Sequence, residues 1–306
     1  MPDDVSSLGW DPARIDWNLS LEDKMSTTAS HGQSVHANGI DIHYLDQGNG
    51  DPLVLLHGGV VSTNPIWTGV PVAYASHMDT LAEHFRVIAP DTRGCGKTVH
   101  SGGTISFDLL ADDVAAVIDA LDLERPLIAG FSDGGITATV LGIRHPDAVR
   151  AIVNHAGFDA FDPDGPTIPM MRQILGGSPD ATNPDPDAAA RGFEASEQMR
   201  AMFELMKRDQ DDGQGEGHWR EYLRLSWDRT TQLPGYTYAD LAQITAPTLI
   251  LTGDRDEFCT VEQAVTTYRQ LPEGELAILP GHGHYIPPSA IQTSVEFLTR
   301  RLAPQS

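Results

Sequence analysis

The chain has 306 residues, of which 40% are hydrophobic and 21% charged, as is typical of a globular protein that can bury a full core. Its 43 acidic residues outnumber 20 lysines and arginines, and the formal charge of -23 argues against nucleic acid or an anionic membrane as a partner. No apolar stretch is long enough to span a membrane, and the N-terminus lacks the basic start and apolar run of a secretory signal.

The two cysteines, Cys95 and Cys259, are too few for a disulfide framework, so a reducing cytoplasm is the expected location. We interpret both as buried or half-buried small residues. The histidines show no metal-ligand spacing. No metal or organic cofactor is implied. The acid-rich surface also suits a high-salt cytoplasm, although an acidic protein from a GC-rich genome is the simpler interpretation. The sequence predicts no particular oligomeric state.

Residues 1–32 are polar and aperiodic, and we expect them to form an N-terminal arm. Met25 opens a stretch that also resembles a chain start, so the true N-terminus is left open. Two short strands are predicted next, one near Val35 and one from Ile40 to Tyr44 with period-two alternation.

Apolar runs that end at glycines or polar residues then alternate with helical stretches. The predicted strands are residues 53–56, 85–89, 126–129, 151–153, 247–251 and 276–279. Continuous apolar strands separated by helices are typical of a parallel sheet that is covered on both faces. The sequence therefore predicts an α/β fold with a mostly parallel central sheet and helices on both sides.

A strand-free insertion interrupts this alternation between two sheet strands. It begins with a loop rich in Asp, Pro and Gly and continues with methionines and aromatics at helical spacing. We interpret it as a helical cap over the strand ends, with some of its apolar residues facing a substrate cavity. The predicted domains are the arm, a core of residues 33–157 and 240–306, and a cap of residues 158–239.

Residues 130–134, Gly-Phe-Ser-Asp-Gly, follow a predicted strand and open a predicted helix. Gly-x-Ser-x-Gly at such a turn is the pattern of a nucleophile elbow. The serine backbone is strained there, and the flanking positions must be small because side chains would collide with the neighbouring strand or helix. The nearby helix N-terminus favours developing negative charge. Ser132 is therefore the candidate nucleophile.

A serine hydroxyl needs a base to take its proton, and the base needs a carboxylate to hold it. In this strand order the acid and then the histidine should follow the serine, each in a loop after a strand. Residues 253–256, Gly-Asp-Arg-Asp, follow one predicted strand, and residues 280–284, Pro-Gly-His-Gly-His, follow the last one. Both loops lie where the geometry requires them.

From Ser34 to Leu302 the chain resembles the α/β-hydrolase-fold serine hydrolases. The motifs that carry the resemblance are His57-Gly58-Gly59, residues 91–96 (Asp-Thr-Arg-Gly-Cys-Gly), the elbow, residues 253–256 and residues 281–284. The resemblance implies that Ser132 is the nucleophile, Asp256 the acid and His284 the base.

Alternatives to the acid and the base remain. Asp254 is interpreted as a turn residue, and Asp159 could substitute as the acid. His282 is the alternative base, and we expect it to bond within its loop or to line the entrance. The resemblance favours Asp256 and His284 over all three.

The resemblance also implies an oxyanion hole made of backbone N–H groups. Asp133, the residue after the nucleophile, and Gly59 are the predicted donors, with Val60 next to Gly59. His57 is interpreted as a structural residue whose ring holds this loop.

The implied reaction is acyl transfer to water through an acyl-enzyme. Haloalkane dehalogenases and epoxide hydrolases share the fold but use an aspartate nucleophile, so Ser132 argues against both. We expect a hydrolase of small carboxylic esters or lactones. An amide or carbon–carbon bond hydrolase, and a ligand receptor with little turnover, are the alternatives.

The substrate is less well indicated. Residues 130–138 are similar to the valacyclovir-hydrolase group, which cleaves α-amino-acid esters, so Asp133 could hold a substrate amine. Alternatively, its side chain points into the polar surroundings of the elbow. Val60, Trp67 and Trp227 are further candidate substrate-binding residues.

Overall fold

One mixed sheet forms the centre of the fold in a computed structural model, which describes residues 32–70, 72–157, 159–162, 165–194, 197–231 and 235–302. The arm predicted for residues 1–32 and the alternative start at Met25 lie outside the described residues, except for Gly32.

The strands are β1 (Gln33–Ala37), β2 (Ile40–Gln47), β3 (Pro52–Leu56), β4 (Arg86–Pro90), β5 (Leu127–Phe131), β6 (Ala151–His155), β7 (Thr248–Gly253) and β8 (Gly274–Leu279). Within the described ranges they form one sheet in the order β1-β2-β4-β3-β5-β6-β7-β8. β2 runs antiparallel to β1 and β4, and the other neighbours are parallel. The mostly parallel sheet predicted from the sequence is confirmed.

The central strands are buried along their whole length. All residues of β5, β6 and β7 are buried. Strands that are covered on both faces favour continuous apolar runs over alternation, which is the pattern that their sequences show. The carboxyl ends of β3, β5, β6, β7 and β8 point the same way, so the loops that follow them meet at one edge of the sheet.

In chain order the helices of the described residues are α1 (Met78–Ala82), α2 (Phe107–Ala120), α3 (Asp133–Arg144), α4 (Thr167–Gly176), α5 (Pro186–Phe193), α6 (Glu197–Gln214), α7 (His218–Thr230), α8 (Val261–Gln270) and α9 (Pro288–Arg300). Short 3-10 helices span Pro65–Trp67, Tyr74–His77, Asp159–Phe161 and Tyr238–Gln243. Among the described residues, no helix has both the length and the apolar character needed to cross a lipid bilayer.

Helix α2 shows how local sequence sets an element. The Ser106 hydroxyl accepts the N–H of Leu109 and so caps the N-terminus, a role for which serine is favoured. The apolar positions Leu110, Val114 and Val117 recur at helical spacing and are buried, as the pattern predicts. The helix packs against β1 and α3.

Helices α4 to α7, which we call the cap, lie between β6 and β7. Their buried side chains form an apolar cluster with the loop that follows β3, to which Val61, Trp67 and Val70 contribute. The cap helices therefore pack against this loop as well as against one another. The domain limits given above, at residues 33–157, 158–239 and 240–306, stay predictions.

A buried carboxyl group anchors the cap to this loop. Asp209 of α6 accepts the indole N–H of Trp67 at 2.7 Å and also bonds Ser62 and Asn64. Only 1% of the residue is exposed. Burial raises the pKa of Asp209 to about 6, although these hydrogen bonds lower it in part.

The raised pKa of Asp209 predicts that the acid weakens the fold once it ionises. Between about pH 4 and pH 6 the folded protein keeps a proton that the unfolded chain releases, so stability falls as pH rises through this window. The free energy of unfolding falls by at most about 3 kcal/mol and stays lowered above pH 6. We expect Asp209→Asn, which keeps an acceptor for Trp67 but cannot ionise, to remove this loss.

Urea unfolding of the wild type and the variant between pH 4 and pH 8 measures the difference in free energy of unfolding. Asp212→Asn on the same helix is the matched control, because Asp212 is exposed and pairs with Arg208 at the surface. A difference between wild type and Asp209→Asn that does not change with pH would contradict the expectation.

Candidate active site

Ser132 stands at the turn between β5 and α3 in a strained conformation. Its φ is 54° and its ψ is -122°, a region that costs a side-chain-bearing residue about 1–3 kcal/mol. A Cβ added at Gly130 would lie 2.1 Å from the Gly134 carbonyl oxygen, and one added at Gly134 would lie 2.3 Å from that of Leu56. Both positions must therefore be glycine, because a side chain would collide with these backbone atoms, as expected for a nucleophile elbow.

The structure brings Ser132, His284 and Asp256 into one hydrogen-bonded chain. Asp256 Oδ2 lies 2.9 Å from His284 Nδ1, and His284 Nε2 lies 3.0 Å from Ser132 Oγ. A carboxylate only accepts, so Nδ1 carries the proton and Nε2 of the neutral ring accepts from the serine hydroxyl. The histidine is therefore set to take the serine proton.

The carboxylate of Asp256 is fixed by its own loop. Oδ1 accepts the backbone N–H groups of Phe258 at 2.9 Å and Cys259 at 2.8 Å. The Asp256 side chain is 1% exposed, so water does not compete for these contacts. The other oxygen, Oδ2, accepts from His284 at 2.9 Å and from the Thr252 hydroxyl at 3.4 Å.

Two aromatic rings contact the His284 imidazole. The ring centroids of Phe131 and Phe258 lie 4.8 Å and 4.7 Å from that of His284. Nearby, burial and the neighbouring His284 lower the pKa of His155 to about 3, so this ring stays neutral. The sequence analysis did not single out Phe131, Phe258 or His155 as site residues.

The alternative acid and base hold their own loops. Asp254 lies in the turn of residues 253–256, as predicted, and its Oδ1 accepts the N–H of Gly281 at 2.6 Å, so it also joins two loops. His282 Nδ1 lies 2.5 Å from the Tyr285 hydroxyl. The side chain of Asp159, the third alternative, lies outside the described residues.

The His57 ring orients the loop that follows β3. Its Nε2 accepts the N–H of Thr92 at 3.0 Å, so Nδ1 carries the proton and donates to the Gly58 carbonyl at 2.8 Å. Burial lowers the pKa of His57, which keeps the ring neutral in this tautomer. Because the Gly58 carbonyl and the Gly59 N–H belong to one planar peptide, the ring also sets the direction of that N–H.

The two predicted oxyanion-hole residues lie side by side. A Cβ added at Gly59 would come within 2.7 Å of Asp133 Oδ2, and one added at Gly58 would lie 3.6 Å from Ser132 Cβ. Asp133 is the first residue of α3, where backbone N–H groups have no partner within the helix. The loop and the elbow thus converge next to the nucleophile.

The carboxylate of Asp133 is paired inside the protein. Arg229 Nε donates to Asp133 Oδ2 at 2.7 Å, and the two side chains are 6% and 16% exposed. The partner of the Asp133 side chain lies on the cap helix α7 and not in the elbow, and a role of Asp133 in holding a substrate amine stays a prediction. A substrate amine would have to compete with a buried guanidinium.

Arg229 was missed in the sequence analysis, although a signal was present. It stands at helical spacing from Tyr222, Leu225 and Ser226, which are buried on the same side of α7. A charged residue on an apolar helix face has to find a buried partner. The partner is far away in the sequence, so the pattern alone does not name it.

A cavity of about 290 Å³ lies between the cap and the elbow. Its lining includes Ser132, His284 and Gly59 from the core. The cap contributes mainly apolar side chains, among them Met171, Leu175, Phe193, Met199, Met202 and Leu223.

Of the predicted substrate-binding residues, Val60 and Asp133 line this cavity, whereas Trp67 and Trp227 lie outside its described lining. Trp67 is completely buried, with its N–H bonded to Asp209. Trp227 packs within the cap next to Gly176. This corrects the expectation for both tryptophans, because each fills the apolar cluster that seats the cap.

The charged residues of the described lining are few. Besides His284, they are Asp133 and Arg229, which pair with each other, and Glu257, which is exposed to solvent. Among the residues that the structure describes, no three His, Cys, Asp or Glu side chains group so that they could hold a metal ion.

Residues 51–289 match the family described as alpha/beta hydrolase fold. The chain is 26% identical over 279 residues to a 2-hydroxy-6-oxo-2,4-heptadienoate hydrolase of Pseudomonas putida. The aligned region covers 85% of this chain and 92% of the relative.

Two solved structures illustrate the likeness in fold. Carboxylesterase CesB of Bacillus subtilis has a TM-score of 0.70 and 19% identity, covering 95% of this chain and 98% of its own. Est816, described as an N-acyl homoserine lactone degrading enzyme, has a TM-score of 0.64 and 23% identity, covering 88% of this chain and 99% of its own. None of these three proteins is named for α-amino-acid esters, so the resemblance to the valacyclovir-hydrolase group stays a prediction.

Proposed function

The chain belongs to the alpha/beta hydrolase fold family, and on that premise we propose that it cleaves a carboxylic ester or a lactone through an acyl-enzyme. Ser132 is the nucleophile, His284 the base and Asp256 the carboxylate that holds the base. The observation that carries the proposal is the hydrogen-bonded chain from Asp256 through His284 to Ser132 at the floor of an apolar cavity.

In the first half of the reaction, Ser132 Oγ attacks the substrate carbonyl carbon while His284 Nε2 takes its proton. Asp256 stabilises the imidazolium that forms. The tetrahedral oxygen accepts the N–H groups of Gly59 and Asp133, and donors of this kind are each worth about 10²–10³-fold in kcat. His284 then gives the proton to the leaving oxygen, and the ester bond breaks.

In the second half, a water molecule attacks the acyl carbon. His284 takes the water proton and returns it to Ser132 Oγ as the acid is released. A lactone follows the same steps, except that its leaving oxygen stays attached to the acyl group. The net reaction consumes one water molecule and needs no cofactor.

The cavity supports an uncharged, apolar acyl group as the substrate. Each methylene buried there contributes about 0.8 kcal/mol to binding. An acidic acyl group would gain little from Arg229, which is already paired with Asp133.

Hydrolysis of a carbon–carbon bond beside a ketone is the second candidate. It is favoured by the Pseudomonas putida relative, whose name denotes an oxo-dienoate substrate. The same triad could act in such a reaction. Arg229, the arginine of the described lining that could hold the carboxylate of a dienoate, is already paired with Asp133, which is why we place the ester or lactone first.

A panel of aryl esters and lactones with acyl chains of increasing length tests the proposal. We expect kcat/KM to rise about fourfold for each added methylene until the cavity is filled. Met171→Trp, which narrows the cavity, should shorten the preferred chain and leave turnover of the acetate ester close to that of the wild type. Ser132→Ala supplies the background rate.

A profile that is flat with chain length would contradict the role of the cavity. A 2-hydroxy-6-oxo-dienoate belongs in the same panel. If the protein turns over this dienoate but no ester or lactone, carbon–carbon bond hydrolysis replaces ester or lactone hydrolysis as the proposed function.

A further inference from the structure

A single guanidinium from the cap contacts both residues of the proposed oxyanion hole. Arg229 lies in the last turn of α7, where Nε donates to Asp133 Oδ2 at 2.7 Å and Nη2 to the Gly59 carbonyl at 3.0 Å. The Tyr222 hydroxyl donates to the same carbonyl and lies 3.3 Å from Arg229 Nη2. Both side chains come from one helix of the cap.

These contacts fix the peptide that follows Gly59. The Gly58 carbonyl before it is held by His57, and the Gly59 carbonyl is held by Arg229 and Tyr222. The two peptide planes that meet at the Gly59 Cα are therefore both fixed. A glycine has no side chain to restrict its dihedral angles, so its N–H keeps its direction only through such outside contacts.

The same guanidinium compensates the charge of Asp133. Burial opposes the charge of Arg229, but the Asp133 carboxylate outweighs it and raises the pKa of the guanidinium above its usual range. Without Arg229, the carboxylate would stand uncompensated next to the developing oxyanion and would repel it. Arginine suits this place because its planar group makes both bonds at once, which the ammonium of lysine cannot do in the same geometry.

We propose that Arg229 is a positioning residue, which completes the oxyanion hole only when α7 is seated on the core. This inference rests on the proposed hydrolase function. The cap then does more than enclose the substrate. The contacts of Arg229 with Asp133 and Gly59 both hold the cap on the core and orient the oxyanion hole.

The test compares Arg229→Met with Arg224→Gln, a control on the same helix whose exposed side chain pairs with Glu221 and Asp228. On the best ester, Arg229→Met should lower kcat about 100-fold with little change in KM, as expected when transition-state contacts are lost. Arg229→Lys should recover part of the loss, and Arg224→Gln should match the wild type. Removing the uncompensated charge in the double variant Arg229→Met/Asp133→Asn should also recover part of it.

Inhibitor binding separates positioning from a purely structural role. An aryl trifluoromethyl ketone adds to Ser132 and generates an oxyanion, so its affinity should fall with kcat/KM in Arg229→Met. The affinity for the carboxylic acid product should stay within a few-fold. Tyr222→Phe removes one donor to the Gly59 carbonyl but keeps the ion pair, so we expect smaller losses of kcat and of inhibitor affinity. This variant tests the inference if Arg229→Met does not fold.

Three outcomes would overturn the inference. The first is a raised KM with unchanged kcat, which would make Arg229 a substrate-binding residue. The second is unchanged inhibitor affinity in Arg229→Met and Tyr222→Phe, while Ser132→Ala still abolishes turnover, which leaves the proposed function standing. The third is a wild type that turns over no ester or lactone, which refutes the function and the inference with it.

Discussion

Ser132→Ala is expected to lose all labelling by a fluorophosphonate probe and to lower ester turnover on the order of 10⁵–10⁶-fold in kcat. The probe forms a covalent bond with an activated serine oxygen, and the activation comes from His284 Nε2 at 3.0 Å. The change removes one oxygen and leaves the elbow glycines and the strained backbone in place. The thermal midpoint should therefore stay close to that of the wild type.

The cavity offers a matched control for this substitution. Ser226 of α7 lines the same cavity, and its buried hydroxyl has no hydrogen-bond partner among the described residues. Ser226→Ala should keep both labelling and turnover, because no base among the described residues accepts the proton of the Ser226 hydroxyl. Equal labelling of wild type and Ser132→Ala, or a labelled peptide that contains residue 226, would refute the nucleophile assignment.

His284→Ala should lower kcat by a factor similar to that of Ser132→Ala. A serine without its base is no better than water as a nucleophile, and triad members act as a unit. His282→Ala, two residues away, should retain activity within about tenfold of the wild type, because its ring contacts Tyr285 within the same loop.

Steady-state rates on one ester compare the two histidine variants directly. Near-UV circular dichroism checks that both variants keep the tertiary packing of the wild type. A larger loss in His282→Ala than in His284→Ala would move the base to His282 and would contradict the hydrogen-bonded chain described above.

The parts of the fold that the sequence predicted are those set by local rules. β5 is a continuous apolar run, and the glycines on either side of Ser132 are demanded by backbone contacts within a few residues or with the adjacent strand. Asp256 and His284 could be placed because each follows a strand whose carboxyl end lies at the same edge of the sheet.

The parts that the sequence did not predict depend on how the cap packs on the core. Arg229 meets Asp133 across 96 positions of the chain, and Asp209 meets Trp67 across 142. An aromatic residue in a loop can line a cavity or fill a core, and nothing near Trp67 in the sequence distinguishes the two. Its partner on α6 decides between them.

The three methionines of the cavity lining bear on how selective the protein is. Met171, Met199 and Met202 come from two cap helices, and their unbranched, polarisable side chains change shape at little cost. A rigid pocket would reject a branched chain of the same volume as a straight one, whereas this wall can re-form around either. Under the proposed function, we therefore expect the protein to accept straight and branched acyl chains of similar volume.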